Sequence, residues 1–133
     1  MVSKTAVLID DDQDDLDVLE ESIHEHSSDI ACFQFKSPTC AIKSVLTEGT
    51  LPPDFIFLDY NMPIINGEEC VRQLRKNPDF DETTIVVSTS MPGEMAKRLS
   101  GIGVNHTFQK PVSYEIYKSI VAKIIPSKML GSI

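Results

Sequence analysis

A dense run of carboxylates lies near the start of the chain, in the segment VLIDDDQDDL. Its acidic side chains occupy five of six consecutive positions, at Asp10, Asp11, Asp12, Asp14 and Asp15. Two unit charges about 4 Å apart repel each other by roughly 4 kcal/mol at an effective dielectric constant near 20. The run is therefore either spread out in solvent or arranged to bind a cation.

Three further polar residues follow apolar runs: Asp59 after FIFL, Ser88 after IVV, and Lys110 after a weaker run. Together with Asp10 and Asp11, Asp59 offers the hard oxygen ligands that suit Mg²⁺, and too few of them to exclude water from the ion. Lys110 can bind one oxygen of a phosphoryl group, and Ser88 can donate a hydrogen bond to another. A carboxylate would remain free to attack phosphorus. This set predicts phosphoryl transfer, which needs little beyond in-line positioning and charge stabilisation.

The elements that would position these side chains alternate strictly along the chain. Apolar, β-branched runs predict five strands, at Lys4–Asp10, Ile30–Phe35, Asp54–Asp59, Thr84–Thr89 and Val104–Gln109. Helical periodicity, capping residues and prolines predict five helices, at Gln13–His26, Pro38–Glu48, Asn66–Asn77, Pro92–Leu99 and Val112–Ile125. In the last helix, one apolar stripe is formed by Val112, Ile116, Ile120 and Ile124.

This alternation predicts an α/β fold, a doubly wound five-stranded parallel sheet with helices on both faces. Ligands of such a sheet bind beyond the carboxyl ends of its strands. We therefore expect Asp10, Asp11, Asp59, Ser88 and Lys110 to converge on one rim. Residues 1–133 are expected to form a single domain, in which 126–133 are a short C-terminal tail.

Composition excludes several classes of protein. An apolar fraction of 41% and a charged fraction of 24% indicate a folded globular domain. The net charge of -8 argues against direct nucleic-acid binding, which depends on basic side chains. No apolar stretch approaches the roughly 20 residues of a membrane span, and the first apolar run is too short for a signal peptide. Three cysteines without metal-ligand spacing predict a reduced, cytoplasmic setting.

The segments LIDDD, FLDYNMPIING, VVSTS and FQKP, in this order and spacing, resemble the receiver domain of two-component response regulators. The resemblance covers nearly the whole chain. It implies a flavodoxin-like fold with strand order 2-1-3-4-5. It also implies a regulator, not an enzyme with a separate substrate, that catalyses its own phosphorylation and dephosphorylation with phosphohistidine as the donor.

The resemblance assigns the phosphorylation site. Asp59 would be the phospho-acceptor, in the sequence context of Met62, Pro63 and Gly67. Lys110 would pair with the phosphoryl group.

The resemblance also assigns a magnesium site. Asp11 would bind Mg²⁺ directly and Asp10 through water. Asp59 and the backbone carbonyl of Asn61 would complete the protein's share of the ligands.

Two positions would carry the conformational switch. Ser88 matches the hydroxyl that moves toward the phosphoryl group. Thr107 occupies a position where this family often has Tyr or Phe, and strand alternation points the neighbouring Phe108 to the opposite face. We therefore expect weaker or different coupling at Thr107. The resemblance further implies a cis bond between Lys110 and Pro111.

Three other interpretations compete with a phosphorylated receiver. In a calcium loop that starts at Asp10, acidic residues would occupy the first, third, fifth and twelfth positions, but Asp15 stands where a sharp turn needs Gly. In a magnesium-dependent phosphatase of similar topology, Asn61 would stand where a second Asp is usual, and a cap domain would be missing. The third is a degenerate receiver that acts only as a binding module.

A receiver of this kind would act through other proteins. The predicted partners are a histidine kinase or histidine phosphotransfer protein and a downstream protein target that the sequence does not identify. The resemblance makes the fourth helix, fifth strand and fifth helix the usual output face. The chain is expected to be a monomer or weak dimer, without direct contact to nucleic acid or membrane.

Overall fold

Strands and helices alternate in the computed structural model, which describes residues 4–47, 49–62 and 66–126. The strands are β1 (Lys4–Ile9), β2 (Ile30–Phe35), β3 (Phe55–Asp59), β4 (Thr84–Thr89) and β5 (His106–Gln109). The helices are α1 (Gln13–His26), α2 (Pro38–Val45), α3 (Gly67–Arg75), α4 (Pro92–Gly101) and α5 (Tyr114–Ile124), with a 3₁₀ turn at Pro78–Phe80. Among the residues described, no helix combines the length and apolar character that a bilayer span requires.

The strands form one parallel sheet in the order β2-β1-β3-β4-β5. This confirms the predicted doubly wound α/β fold and its strand order. In the register of β3 with β4, Asp59 lies opposite Ser88 at the carboxyl end of both strands. The parallel arrangement thus places the polar strand ends at the same edge.

Apolar side chains alternate between two cores, one on each face of the sheet. The face covered by α1 and α5 includes Leu8, Phe57 and Val86, and the face covered by α2, α3 and α4 includes Ile56 and Val87. Every residue of β3 is buried, as the continuous apolar run FIFLD predicted for a central strand. The two cores therefore enclose β3, and Asp59 is its last residue.

Three helices, α2, α3 and α5, are shorter than predicted. In α2 and α5, capping residues account for the difference. Helix α2 ends at Val45, not Glu48. Leu46 is its C-cap, and the backbone N–H of Leu46 donates hydrogen bonds to backbone oxygens of the last turn. Helix α5 begins after Ser113, whose hydroxyl accepts a hydrogen bond from Ile116 N. Val112 therefore lies outside the helix and is 98% exposed.

The apolar stripe predicted for α5 is only partly buried, and the fully buried face of the helix is formed by other residues. Tyr117 and Val121 are the buried residues of this helix, whereas Ile116 is 48% exposed. Tyr117 packs edge-on against Phe108 of β5, with ring centroids 6.3 Å apart. The aromatic ring of Tyr117, one position away from the predicted stripe, anchors the helix to the sheet and leaves Ile116 facing outward.

The guanidinium of Arg75, at the end of α3, joins three connecting segments. It donates to the backbone oxygens of Phe80, Thr83 and Gly103 and to Asn105 Oδ1, the last three with a donor–acceptor distance of 2.9 Å. Gly103 has a φ of 104°, and a Cβ there would lie 2.8 Å from Arg75 Nε. A glycine is therefore required where the chain passes over this side chain.

Candidate functional site

The carboxylate of Asp59 is the centre of the site. It lies at the end of β3, is 6% exposed, and approaches Lys110 Nζ with Oδ2 at 3.3 Å. Its Oδ1 accepts a hydrogen bond from the backbone N–H of Asn61 at 3.3 Å. Ser88, opposite Asp59 in the sheet, is buried beside it. The structure thus brings together Asp59, Ser88 and Lys110, three residues that the sequence predicted to share one rim.

Two further carboxylates lie against Asp59. Oxygen atoms of Asp10, Asp11 and Asp59 all lie within 4.8 Å of one another. Asp10 and Asp59 are buried, and Asp11 is exposed. Carboxylate oxygens that converge in this way fit a small hard cation such as Mg²⁺, because its charge would offset their mutual repulsion.

Burial and electrostatics act in opposite directions on Asp10. Burial raises the pKa of Asp10 to about 6, and the hydrogen bonds from Lys110 and from the backbone N–H of Asp12 offset this only in part. Burial also opposes the charge of Lys110, but its hydrogen bonds to Asp15 and Asp10 outweigh this and hold the pKa of Lys110 above its ordinary value. Lys110 therefore stays protonated and positively charged among carboxylates that repel one another.

We expect the Asp10→Asn substitution to stabilise the protein by about 1 kcal/mol at pH 7 when divalent cations are chelated. The pKa of Asp10 is raised in the folded state. The folded state therefore favours protonated Asp10. The stability that this proton provides is fully present below the unfolded pKa near 4 and is lost as the pH rises through about 6. Urea titrations at pH 5 and pH 7.5 would measure the difference, which should be larger at pH 7.5. Asp14→Asn is the charge-matched control, and equal shifts for both variants would contradict this account.

The acidic run divides into residues with different roles. The Asp12 side chain caps α1, since Oδ1 accepts hydrogen bonds from the backbone N–H groups of Asp14 at 2.9 Å and Asp15 at 3.4 Å. Asp12 is therefore an acid at the start of a helix, where negative charge is favoured. A calcium loop is excluded, because β1 precedes Asp10 and α1 begins at Gln13, within the supposed loop.

Sequence reasoning missed the contact between Asp15 and Lys110. Asp15 Oδ2 lies 2.8 Å from Lys110 Nζ, closer than either Asp10 or Asp59. The sequence does carry a signal for this, because Asp15 lies four and seven positions before the buried Leu19 and Ser22. At helical spacing these three residues share the inward face of α1.

The loop after Asp59 is held by contacts from two helices. Tyr60 N donates to Ser88 O at 2.8 Å, and Tyr60 O accepts from the backbone N–H of Gly67 at 3.0 Å. The Tyr60 hydroxyl accepts a hydrogen bond from Arg98 of α4 at 2.9 Å, and Arg98 also pairs with Glu68 of α3 at 2.7 Å. These contacts fix the backbone next to the candidate phospho-acceptor. Pro63 lies outside the described residues.

The Gly67→Ala substitution is expected to destabilise the protein by about 1–3 kcal/mol. A Cβ at Gly67 would lie 2.8 Å from Tyr60 Cα, so that the backbone beside Asp59 would have to move. Gly93→Ala in α4 is the matched control, because a Cβ there meets nothing within 4 Å and should slightly stabilise the helix. Chemical denaturation would measure both, and equal stability of Gly67→Ala and wild type would contradict the steric argument.

Two expectations near β5 have different outcomes. Phe108 packs into the core on the α1 and α5 side, as strand alternation predicted, while Thr107 lies opposite Val87 and is half-buried. The expected cis bond at Lys110–Pro111 is wrong, because this peptide bond is trans. Trans is the intrinsically favoured form of such a bond by about 0.5–1 kcal/mol, and Lys110 reaches its carboxylate partners with it.

Comparison of the sequence with known proteins identifies one family. A profile of the response regulator receiver domain matches residues 6–122. Stress response regulator protein 1 of Scheffersomyces stipitis is 27% identical over 111 residues, which cover 81% of this chain and 37% of that protein. The chain thus spans little more than a third of the length of this curated relative.

Solved structures of low sequence identity share the fold. The phosphorylated cyanobacterial phytochrome response regulator RcpA superposes with a TM-score of 0.81 at 21% identity, over 92% of this chain and 91% of that one. The Mn²⁺-bound form of response regulator Rcp1 gives a TM-score of 0.77 at 23% identity, over the same shares of the two chains. With a family profile that covers most of its length, the chain belongs to the response regulator receiver domains of two-component signalling.

Proposed function

We propose that this receiver domain accepts a phosphoryl group on Asp59 in a Mg²⁺-dependent reaction and transmits the signal through altered protein binding. The observation that carries the proposal is the position of the Asp59 carboxylate. It is buried at a strand end, 3.3 Å from the Lys110 ammonium and within 4.8 Å of the Asp10 and Asp11 oxygens. This arrangement supplies a nucleophile, a cation for the phosphoryl oxygens and ligands for a metal.

The metal ligands would be Asp10, Asp11 and Asp59, with the backbone carbonyl of Asn61 as a further candidate. When bound, Mg²⁺ would offset the negative charge of the carboxylates and of the phosphoryl oxygens. The mutual distances of the carboxylate oxygens support this assignment.

The side chains of the domain would carry the transfer itself. An Asp59 carboxylate oxygen forms the new O–P bond, while the P–N bond of a phosphohistidine donor breaks and its electron pair stays on the imidazole. Lys110 holds one phosphoryl oxygen, and the Ser88 hydroxyl donates a hydrogen bond to another. The domain would catalyse its own phosphorylation and also the later hydrolysis, in which water attacks phosphorus, the bond to the Asp59 oxygen breaks and inorganic phosphate leaves.

The partners and the signal follow from this chemistry. The donor would be a histidine kinase or a histidine phosphotransfer protein, and the target would be a protein that distinguishes the two states. Phosphorylation adds about −1.5 to −2 charges at one rim, and Ser88 and Thr107 are the candidates to transmit the change. Three free cysteines, Cys32, Cys40 and Cys70, support a reducing, cytoplasmic setting.

Labelling by acetyl phosphate tests the proposal. Intact-mass spectrometry should detect one added phosphoryl group when Mg²⁺ is present and none when it is chelated. A histidine phosphotransfer protein should serve as a second donor. Absence of labelling from both donors with Mg²⁺ would overturn the proposal and favour a receiver that acts only as a binding module.

A further inference from the structure

The ammonium group of Lys110 is shared among three carboxylates. Its Nζ lies 2.8 Å from Asp15, 2.9 Å from Asp10 and 3.3 Å from Asp59. The Lys110 side chain is 30% exposed and that of Asp15 is 29% exposed, so the pair is partly shielded from water. A lysine ammonium has three N–H donors, and these three contacts can occupy all of them.

Asp15 differs from the other two partners of Lys110. Oxygens of Asp10 and Asp59 belong to the cluster that could hold a metal, together with Asp11, whereas Asp15 is not part of that cluster. Asp15 also projects from α1 and not from a strand end. It nevertheless lines the same small pocket as Asp10, Asp59 and Ser88.

The position of Asp15 in the first turn of α1 does not account for this contact. Asp14 is also in the first turn and receives the same stabilisation from the helix dipole. Asp12 already caps the helix. Asp15 is thus the acid of this turn that reaches the site.

We propose that Asp15 is a positioning residue that holds the Lys110 ammonium against α1 and competes with the phosphoryl group for it. This inference rests on the proposed phosphorylation of Asp59. A phosphoryl oxygen that binds Lys110 must take over one of its three donors, and Asp15 is the partner that the metal cluster does not need. In the unphosphorylated domain, the contact between Asp15 and Lys110 therefore lowers the affinity of the site for a phosphoryl group and slows phosphorylation.

Titration with beryllofluoride, a stable mimic of the phosphoryl group, tests this competition at saturating Mg²⁺. By isothermal titration calorimetry, Asp15→Asn should bind the mimic about three- to fivefold more tightly than wild type, as expected from the loss of a partly exposed ion pair. Asp14→Asn, which removes the same charge one residue away, should stay within about twofold of wild type. Asp15→Glu should restore an affinity close to that of wild type. Asp15→Asn should also be labelled by acetyl phosphate at a higher rate than wild type.

A double-mutant cycle separates an effect through Lys110 from a general effect of charge. In a Lys110→Ala background, adding Asp15→Asn should leave the affinity for beryllofluoride unchanged. If the increase persists there, or if Asp14→Asn matches Asp15→Asn, the positioning role is wrong. Slower labelling of Asp15→Asn would also overturn it, since Asp15 would then orient Lys110 for transfer. If wild type binds no mimic and accepts no phosphoryl group, both this inference and the proposed function fail, whereas a failure confined to Asp15 leaves the proposed function intact.

Discussion

An Asp59→Asn variant is expected to take up no phosphoryl group from acetyl phosphate under conditions in which wild type takes up one. Asparagine has nearly the same shape as aspartate but lacks the anionic oxygen that attacks phosphorus. The fold should survive the change, because Lys110 keeps Asp10 and Asp15 as partners at 2.9 and 2.8 Å. Intact-mass spectrometry at successive times after acetyl phosphate is added in the presence of Mg²⁺ would measure this loss of phosphorylation.

The control for this loss is Asp14→Asn, which removes one negative charge from the first turn of α1. It should be labelled at nearly the wild-type rate, because Asp14 lies outside the cluster of Asp10, Asp11 and Asp59. If Asp59→Asn is labelled as fully as wild type, the phosphoryl group goes to another residue and the site assignment is wrong. Labelling of neither wild type nor Asp14→Asn would instead count against the reaction as a whole.

The fold was predictable because its central strands, β1, β3 and β4, are largely buried on both faces. A run such as FIFLD at Phe55–Asp59 has no polar face, and strict alternation with helices then leaves a parallel sheet as the consistent arrangement. Helix ends and buried faces were less predictable. Ser113 sets the start of α5 through a local hydrogen bond to Ile116 N. Tyr117 decides which side of the helix is buried by packing against Phe108 of β5, which periodicity does not contain.

The core of the candidate site was predictable for the same topological reason. Asp10, Asp59 and Ser88 each stand at or just after a strand end, so the sheet brings them together without further information. Asp15 was not recognised, because its contact depends on the reach of the Lys110 side chain across the rim. Its position four and seven residues before the buried Leu19 and Ser22 places it on the inward face of α1, and this spacing is the signal that could have identified it.

Arg75 is a structural residue that the sequence did not single out, and its loss should have the largest effect on stability among the changes considered. We expect Arg75→Met to lower the free energy of unfolding by about 3 kcal/mol, since hydrogen bonds to a charged group contribute about 1.5–3 kcal/mol each and are not additive. The substitution leaves the backbone oxygens of Thr83 and Gly103 and the Asn105 Oδ1 without a donor that now lies 2.9 Å away. Urea denaturation would measure the change from the midpoint at constant slope.

Two further variants show whether the effect arises from the guanidinium or from any cation at the end of α3. Arg72→Met removes an arginine three residues earlier, whose 3.1 Å ion pair with Glu68 lies on the surface and should contribute less than about 1 kcal/mol. Arg75→Lys should recover only part of the loss, because a single ammonium cannot span acceptors from the 3₁₀ turn, the residue before β4 and the loop before β5 as a planar guanidinium does. Equal destabilisation by Arg72→Met and Arg75→Met, or full recovery by lysine, would show that charge and not this geometry stabilises the region. If the prediction holds, β4 and β5, whose ends supply Ser88 and lead into Lys110, depend on a side chain at the opposite end of the sheet.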